Sequence, residues 1–296
     1  MATPNRHLPV DPPDPSVVRP ATSPGSLRQR PVAQAGGTRP AWKGARIHAF
    51  DLLRELVERD IKLRYRRSVL GILWTLLNPL AELLVLLFVF RLVIRVDIPN
   101  YPAYLFTGLI VYGWFQASVN LATTAVVGNR ELVRRPGVPT AILPVVTVAS
   151  NLVHFVLSLP ILLVLVMLSD LHVTTALVAL PVLIALEFVL ILGFAYPVAT
   201  LYVWFRDTQH LLRIALQLLF YLTPVFYQAD GVPERLRWLY RLNPIAHMID
   251  AYRAVLLRGE YPSLGSLAYL LAFSGVSFAL GLTWYRQASH RFPDEL

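Results

Sequence analysis

Residues 58–80 read ERDIKLRYRRSVLGILWTLLNPL. The first ten positions hold five cations, Arg59, Lys62, Arg64, Arg66 and Arg67, and the thirteen that follow, from Ser68, hold no charge. So abrupt a change marks a chain leaving water for hydrocarbon. An apolar run of about 18 residues or more reads as a membrane-spanning helix, because roughly 20 residues at about 1.5 Å each cross the bilayer core. Working outward from this stretch, six spans are predicted: Leu70–Ile94, Pro102–Val127, Ala141–Leu168, Thr175–Phe205, Leu211–Tyr227 and Leu264–Trp284. Composition agrees, since 55% of the 296 residues are hydrophobic and 15% are charged, against about 25% charged in soluble domains. The expected fold class is all-α integral membrane.

The net charge of +9 is not read as a nucleic-acid footprint. Basic residues of membrane proteins collect in cytoplasmic loops. Placing both termini in the cytoplasm puts inside the basic run, Arg130, Arg134, Arg135, Arg206, Arg213, Arg286 and Arg291. Five arginines between residues 228 and 263 (Arg235, Arg237, Arg241, Arg253 and Arg258) then lie outside, the exception to the rule.

Before the first span, Phe50, Leu53, Val57 and Ile61 recur at helical spacing among charged residues, which predicts an amphipathic helix in the membrane interface. Residues 1–45 hold nine of the 23 prolines and no apolar h-region, so a disordered tail is expected there rather than a signal peptide. Residues 46–296 form the membrane domain. Between spans five and six, Asn243-Pro244 divides a segment whose halves are too short to cross a bilayer. Its second half carries an apolar stripe (Ile245, Met248, Ile249, Tyr252, Leu256), with Asp250 and Arg253 on a polar face. Two short helices dipping back toward the membrane are expected.

The motifs for catalysis are missing. A P-loop needs a lysine after glycine to reach the phosphates, and the two lysines, Lys43 and Lys62, follow Trp42 and Ile61. With no cysteine, disulfides and thiolate metal sites are excluded. Only Glu82 and Glu187 lie deep in predicted spans, where an ionisable group marks either function or helix packing. Asn151 and His154 read as interhelical hydrogen bonds rather than ligands. The loop GNRELVRRPGVPT, residues 128–140, reads as a solvated basic loop or as a docking helix in which Asn129 caps a turn through Glu131–Arg134. Aromatics cluster in span two (Tyr112, Trp114, Phe115) and span five (Tyr221, Tyr227), as interfacial belts or as a sugar-binding surface.

Taken together, DIKLRYRRSVLGILWTLLNPL, FRDTQHLLRIALQLLFYLTPVFY and LNPIAHMIDAYRAVLL resemble the permeases of ABC-2 type transporters, above all the polysaccharide exporters, over residues 46–296. The resemblance implies a transport subunit without enzymatic activity, in a bacterial inner membrane. It binds no cofactor itself; ATP and Mg sit on a separate cytoplasmic ATPase subunit. The other implied partners are a second copy of the chain and a polysaccharide carried on a polyprenyl diphosphate lipid. It further implies ATPase docking through Arg59, Lys62, Asn129, Arg130, Glu131, Arg134 and Arg135. Arg64, Arg66 and Arg67 would meet lipid phosphate, the arriving diphosphate, or the ATPase. Channel and gate candidates are Glu82, Tyr112, Trp114, Phe115, Tyr221, Tyr227, Trp238, Tyr240, Asn243, Pro244, Asp250 and Arg253. Two alternatives remain: an ABC-2 exporter of drugs or small lipids, and a membrane glycosyltransferase. The latter needs a DxD-like site on a cytoplasmic loop, and the nearest acidic cluster, Asp11 and Asp14, lies in the tail.

Overall fold

A computed structural model describes residues 45–66, 68, 70–134, 138–169, 174–228 and 233–296, apart from the side chains at 45–49 and 72. The proline-rich tail, Arg67 and Arg135 therefore lie outside the described residues, among which every regular element is helical.

Helix α1 (Ala45–Tyr65) precedes a turn at Gly71, whose φ of +50° suits a residue without Cβ. Helix α2 (Trp74–Leu87) runs on as a wider π-turn through Phe88–Val93. Helix α3 (Tyr101–Ala125) is followed by the short α4 (Arg130–Val133) and then α5 (Ile142–Met167). A 3₁₀ turn, Thr175–Ala179, leads into α6 (Leu180–Trp204), and α7 (Thr208–Leu222) follows. Helices α8 (Arg237–Leu242) and α9 (Pro244–Arg253) precede α10 (Leu264–Ser289) and α11 (Phe292–Glu295).

Among the described residues, five helices are long and apolar enough to cross a membrane: Trp74–Val93, Tyr101–Ala125, Ile142–Met167, Thr175–Trp204 and Leu264–Ser289. They fall on five of the six predicted spans. The remaining one, predicted over Leu211–Tyr227, is α7, whose 15 residues reach only about 22 Å. It stops because Thr223 turns extended and Pro224 follows; the residue before a proline is pushed out of the helical region.

Helix α3 is the hub. Most of its residues are buried, and it packs against α2, α5, α6, α7 and α9. Small residues allow this: Ala103, Gly108, Ser118 and Ala122 leave room for neighbouring backbones. Helices α6 and α10 form the most extensive pair. A Cβ on Gly193 would run into Ser277 Oγ, and one on Gly281 would lie 2.8 Å from the Gly193 carbonyl. Helix α2 is the opposite case, with Leu83 its one buried residue and Leu84, Val85 and Phe88 facing outward.

Cross-helix hydrogen bonds sort the connections onto two ends of the bundle. At one end, Tyr285 and Tyr196 donate to the carbonyls of Thr140 and Ala141 at 2.9 and 3.1 Å, and Trp204 meets Phe292 edge to face. At the other, Tyr101 and Tyr104 donate to the carbonyls of Phe226 and Tyr227, both at 2.9 Å. There too Thr174 donates to Gly259 and Tyr269 to Leu242. The C-terminus and residues 126–134 and 138–141 thus share one end, and residues 95–100, 223–228 and 233–263 the other. Helix α7 starts at the first end, passes Tyr112, which donates to the Leu216 carbonyl, and leads to the second.

The two short helices after α7 differ in burial. Helix α8 is exposed, whereas eight residues of α9 are buried against α3, α6 and α10. Asn243 starts α9, its side chain accepting from the Ile245 and Ala246 amides at 3.0 and 3.3 Å. Arg253 is the correction. It was expected beside Asp250 on a polar face, yet it is 4% exposed.

Candidate functional site

Three regions gather the polar groups that the apolar packing leaves over. The first lies at the end that carries the C-terminus. Leu52, Leu53, Leu56 and Val57 of α1 pack on the core while Phe50 is exposed, so the apolar stripe is rotated from the expected one. This lays Arg59 beside Asn129, Arg130 and Glu131 around a cavity of about 450 Å³. Asn129 stands at the start of α4, but its side chain donates back to the Ala125 carbonyl at 2.9 Å, closing α3 rather than capping α4. Lys62 turns away from the groove and pairs with Glu58 at 2.6 Å. That ammonium holds the Glu58 carboxyl below its ordinary range. The backbone amide of Arg134 donates to the Arg130 carbonyl and closes α4.

The second region lies deeper. Arg64 reaches across to α5. Its guanidinium donates to Asn151 Oδ1 at 2.9 Å and to Asp60 Oδ2 at 3.1 Å, and meets His154 Nε2 at 3.2 Å. Asn151 is nine residues into α5, about 14 Å from its start. The expected interhelical role of Asn151 and His154 is therefore to hold Arg64. Tyr65 packs edge to face on His154. These groups face a cavity of about 430 Å³ shared with Trp74, Asn78, Glu82 and Trp114. Arg66, the remaining described member of the basic run, is exposed.

The third region is at the opposite end. Arg253 donates to the carbonyls of Pro224 and Val225, each at 2.7 Å, and to that of Tyr104 at 3.2 Å. Its guanidinium carbon lies 3.4 Å from the centre of the Tyr104 ring. A buried cation is tolerated here because main-chain oxygens and an aromatic face replace its water. The same bonds use carbonyls freed by the break after α7. Asp250 instead pairs with Arg258 at 3.0 Å, at the surface. Tyr227 and Tyr240 share a hydrogen bond of 2.7 Å, and Asn243 also donates to Thr223 at 2.9 Å. Pro244, the first residue of α9, is buried.

Not all the aromatic candidates face open space. Tyr112 and Phe115 are buried in ring-to-ring packing with Phe220 and Phe194. Trp114, 3% exposed, stacks on Phe155 and donates to the Val148 carbonyl. Tyr221 and Trp238 are exposed. Glu187 is buried and lies against Tyr252 of α9. Reading the sequence did not foresee the Arg64 and Arg253 clusters. The available signals were Asp60 four residues before Arg64, and Gly108 one turn after Tyr104, where a Cβ would come within 2.9 Å of Arg253 Nη2.

Residues 51–257 match the family model of the ABC-2 type transporter. The chain is 37% identical over 247 residues to the O-antigen export system permease protein RfbA of Myxococcus xanthus, covering 83% of this chain and 95% of that protein. It is 30% identical over 255 residues to RfbA of Klebsiella pneumoniae, covering 84% and 96%. It is 27% identical over 245 residues to the polysialic acid transport protein KpsM of Escherichia coli, covering 80% and 95%.

Proposed function

The chain belongs to the ABC-2 type transporter family, and we propose that it is the permease subunit of a polysaccharide exporter in a bacterial inner membrane. The observation that carries this reading is its alignment with O-antigen and polysialic acid permeases over nearly their whole length. The missing phosphate-binding lysine motif fits a subunit that draws on a separate ATPase. Two copies of the chain would enclose the path, with a saccharide on a polyprenyl diphosphate lipid as cargo.

Both termini face the cytoplasm in this reading, as the basic loops require. The chain then crosses six times, α7 together with residues 223–227 making the short fifth passage. The groove between α1 and α4 seats the ATPase through Arg59, Asn129, Arg130 and Glu131; Lys62, turned away, contributes only long-range charge. When the ATPases close, α1 is pushed as a lever. Because Arg64 is bonded to Asn151 and His154, that push reaches the middle of α5 rather than stopping at the membrane surface. Exposed Arg66 is left for lipid phosphate, worth about 1 kcal/mol near an anionic surface. At the far end α9 and α8 form the gate, α9 tied by Arg253 to α3 and to the break after α7.

The test is to purify the chain with the ATPase encoded beside its gene. A stable complex of two permeases and two ATPases that hydrolyses ATP is the expected result; a chain that binds no ATPase overturns the reading.

A further inference from the structure

The outer arginines, the exception to the charge rule that oriented the chain, are not scattered in space. Arg241, Arg253 and Arg258 come from α8, α9 and the π-turn after α9, yet they line one cavity of about 360 Å³. Asp250 is the one carboxylate in its wall, and it is already engaged by Arg258 at 3.0 Å. The cavity therefore carries a net positive charge. Arg253, 4% exposed, points three of its donors at carbonyls, but its Nε–H is buried without an acceptor among the described residues. Arg241 makes no ion pair among the described residues, and its carbonyl takes the His247 ring at 3.1 Å. Tyr104 and Tyr240 supply aromatic walls, while Pro224 and Ala246 are the only aliphatic ones. The ligand chemistry that fits is a hydroxyl-rich group bearing an anionic oxygen.

We propose that this cavity is an exit-side subsite for a carboxylate-bearing sugar unit of the passing polymer. The inference rests on the export reading. Arg241 takes the carboxylate with the buried Arg253 charge behind it, and Tyr240 flanks the ring. The subsite gives the emerging chain a foothold beyond α9, so that backward slippage costs the loss of a charge-assisted contact.

The test uses the full-length chain in phosphatidylcholine nanodiscs, titrated calorimetrically with tetragalacturonate, with neutral maltotetraose and with glycerol phosphate. Saturable binding of tetragalacturonate is expected, weakened about tenfold by Arg241→Gln, the size of one charge-assisted hydrogen bond. Arg235→Gln, outside the cavity wall, leaves it unchanged. Maltotetraose binding equally well, an equal loss in both variants, or no binding at all overturns the proposal. Glycerol phosphate binding as tightly and displacing the saccharide assigns the cavity to lipid headgroups and overturns it too. ATPase pairing is measured at the opposite end of the bundle, so failure here leaves the export reading standing.

Discussion

Replacing Gly108 by alanine adds one methyl group where α3 meets Arg253 and the break after α7. Its Cβ would lie 2.9 Å from Arg253 Nη2, 2.9 Å from the Val225 carbonyl and 3.1 Å from Val225 Cγ1. Two of those atoms are partners in the same 2.7 Å hydrogen bond. Neither yields cheaply, since one is backbone and the other is held by two further carbonyls. Overpacking of this kind costs about 1–3 kcal/mol. If the guanidinium retreats and loses one charged hydrogen bond, about 1.5–3 kcal/mol more is lost. The expected destabilisation is thus about 2.5–6 kcal/mol, reduced by the roughly 1 kcal/mol that alanine gains over glycine in helix propensity. Gly113 is the control: it lies on the same helix, and a Cβ there meets nothing within 4 Å. Unfolding equilibria in mixed detergent, read by tryptophan fluorescence, compare the two. Gly113→Ala should be neutral or slightly stabilising. Equal stability of the two variants would refute the view that Arg253 clasps α9 to α3 and to the break after α7.

Gly193→Ala should also lower stability, because Ser277 and the Phe278 amide stand at 2.9 Å or closer and 3.0 Å from the added Cβ; the same unfolding assay reads it. A double-mutant cycle of Arg64→Ala and Asn151→Ala should return a coupling of about 0.6–1.7 kcal/mol, the range of polar pairs between membrane helices, and a value of zero would separate α1 from α5. Arg59→Glu with Arg130→Glu should abolish ATPase copurification while leaving unfolding unchanged. Lys62→Glu should weaken copurification far less, since Lys62 pairs with exposed Glu58 rather than lining the groove, and such surface pairs are weak.

The five long spans were legible because run length and hydropathy are local properties, and their ends agree with the helices to within a few residues. Helix α7 was overcalled in length. The apolar run continues past Leu222, and hydropathy does not register that Pro224 ends the helix while the chain goes on to the far end. The apolar stripe of α9 was readable, but Asp250 and Arg253 are one turn apart and periodicity groups them. Only the carbonyls left open after α7, distant in sequence, decide that Arg253 goes inward and Asp250 outward. The basic run hid Arg64 for a related reason. Five neighbouring cations look alike until α5 supplies Asn151 and His154 to one of them. Tyr112, Trp114 and Phe115 could not be sorted into channel or core by composition, because an aromatic side chain suits both.

The central claim is that this chain carries a saccharide across the membrane on energy supplied by another subunit. Inverted membrane vesicles containing the chain and its neighbouring ATPase, supplied with a lipid-linked polysaccharide on the cytoplasmic face, test it most directly. ATP-dependent accumulation of polymer inside the vesicles is expected, lost without this chain and lost with an ATPase whose P-loop lysine is replaced. Accumulation that continues when this chain is left out would contradict it.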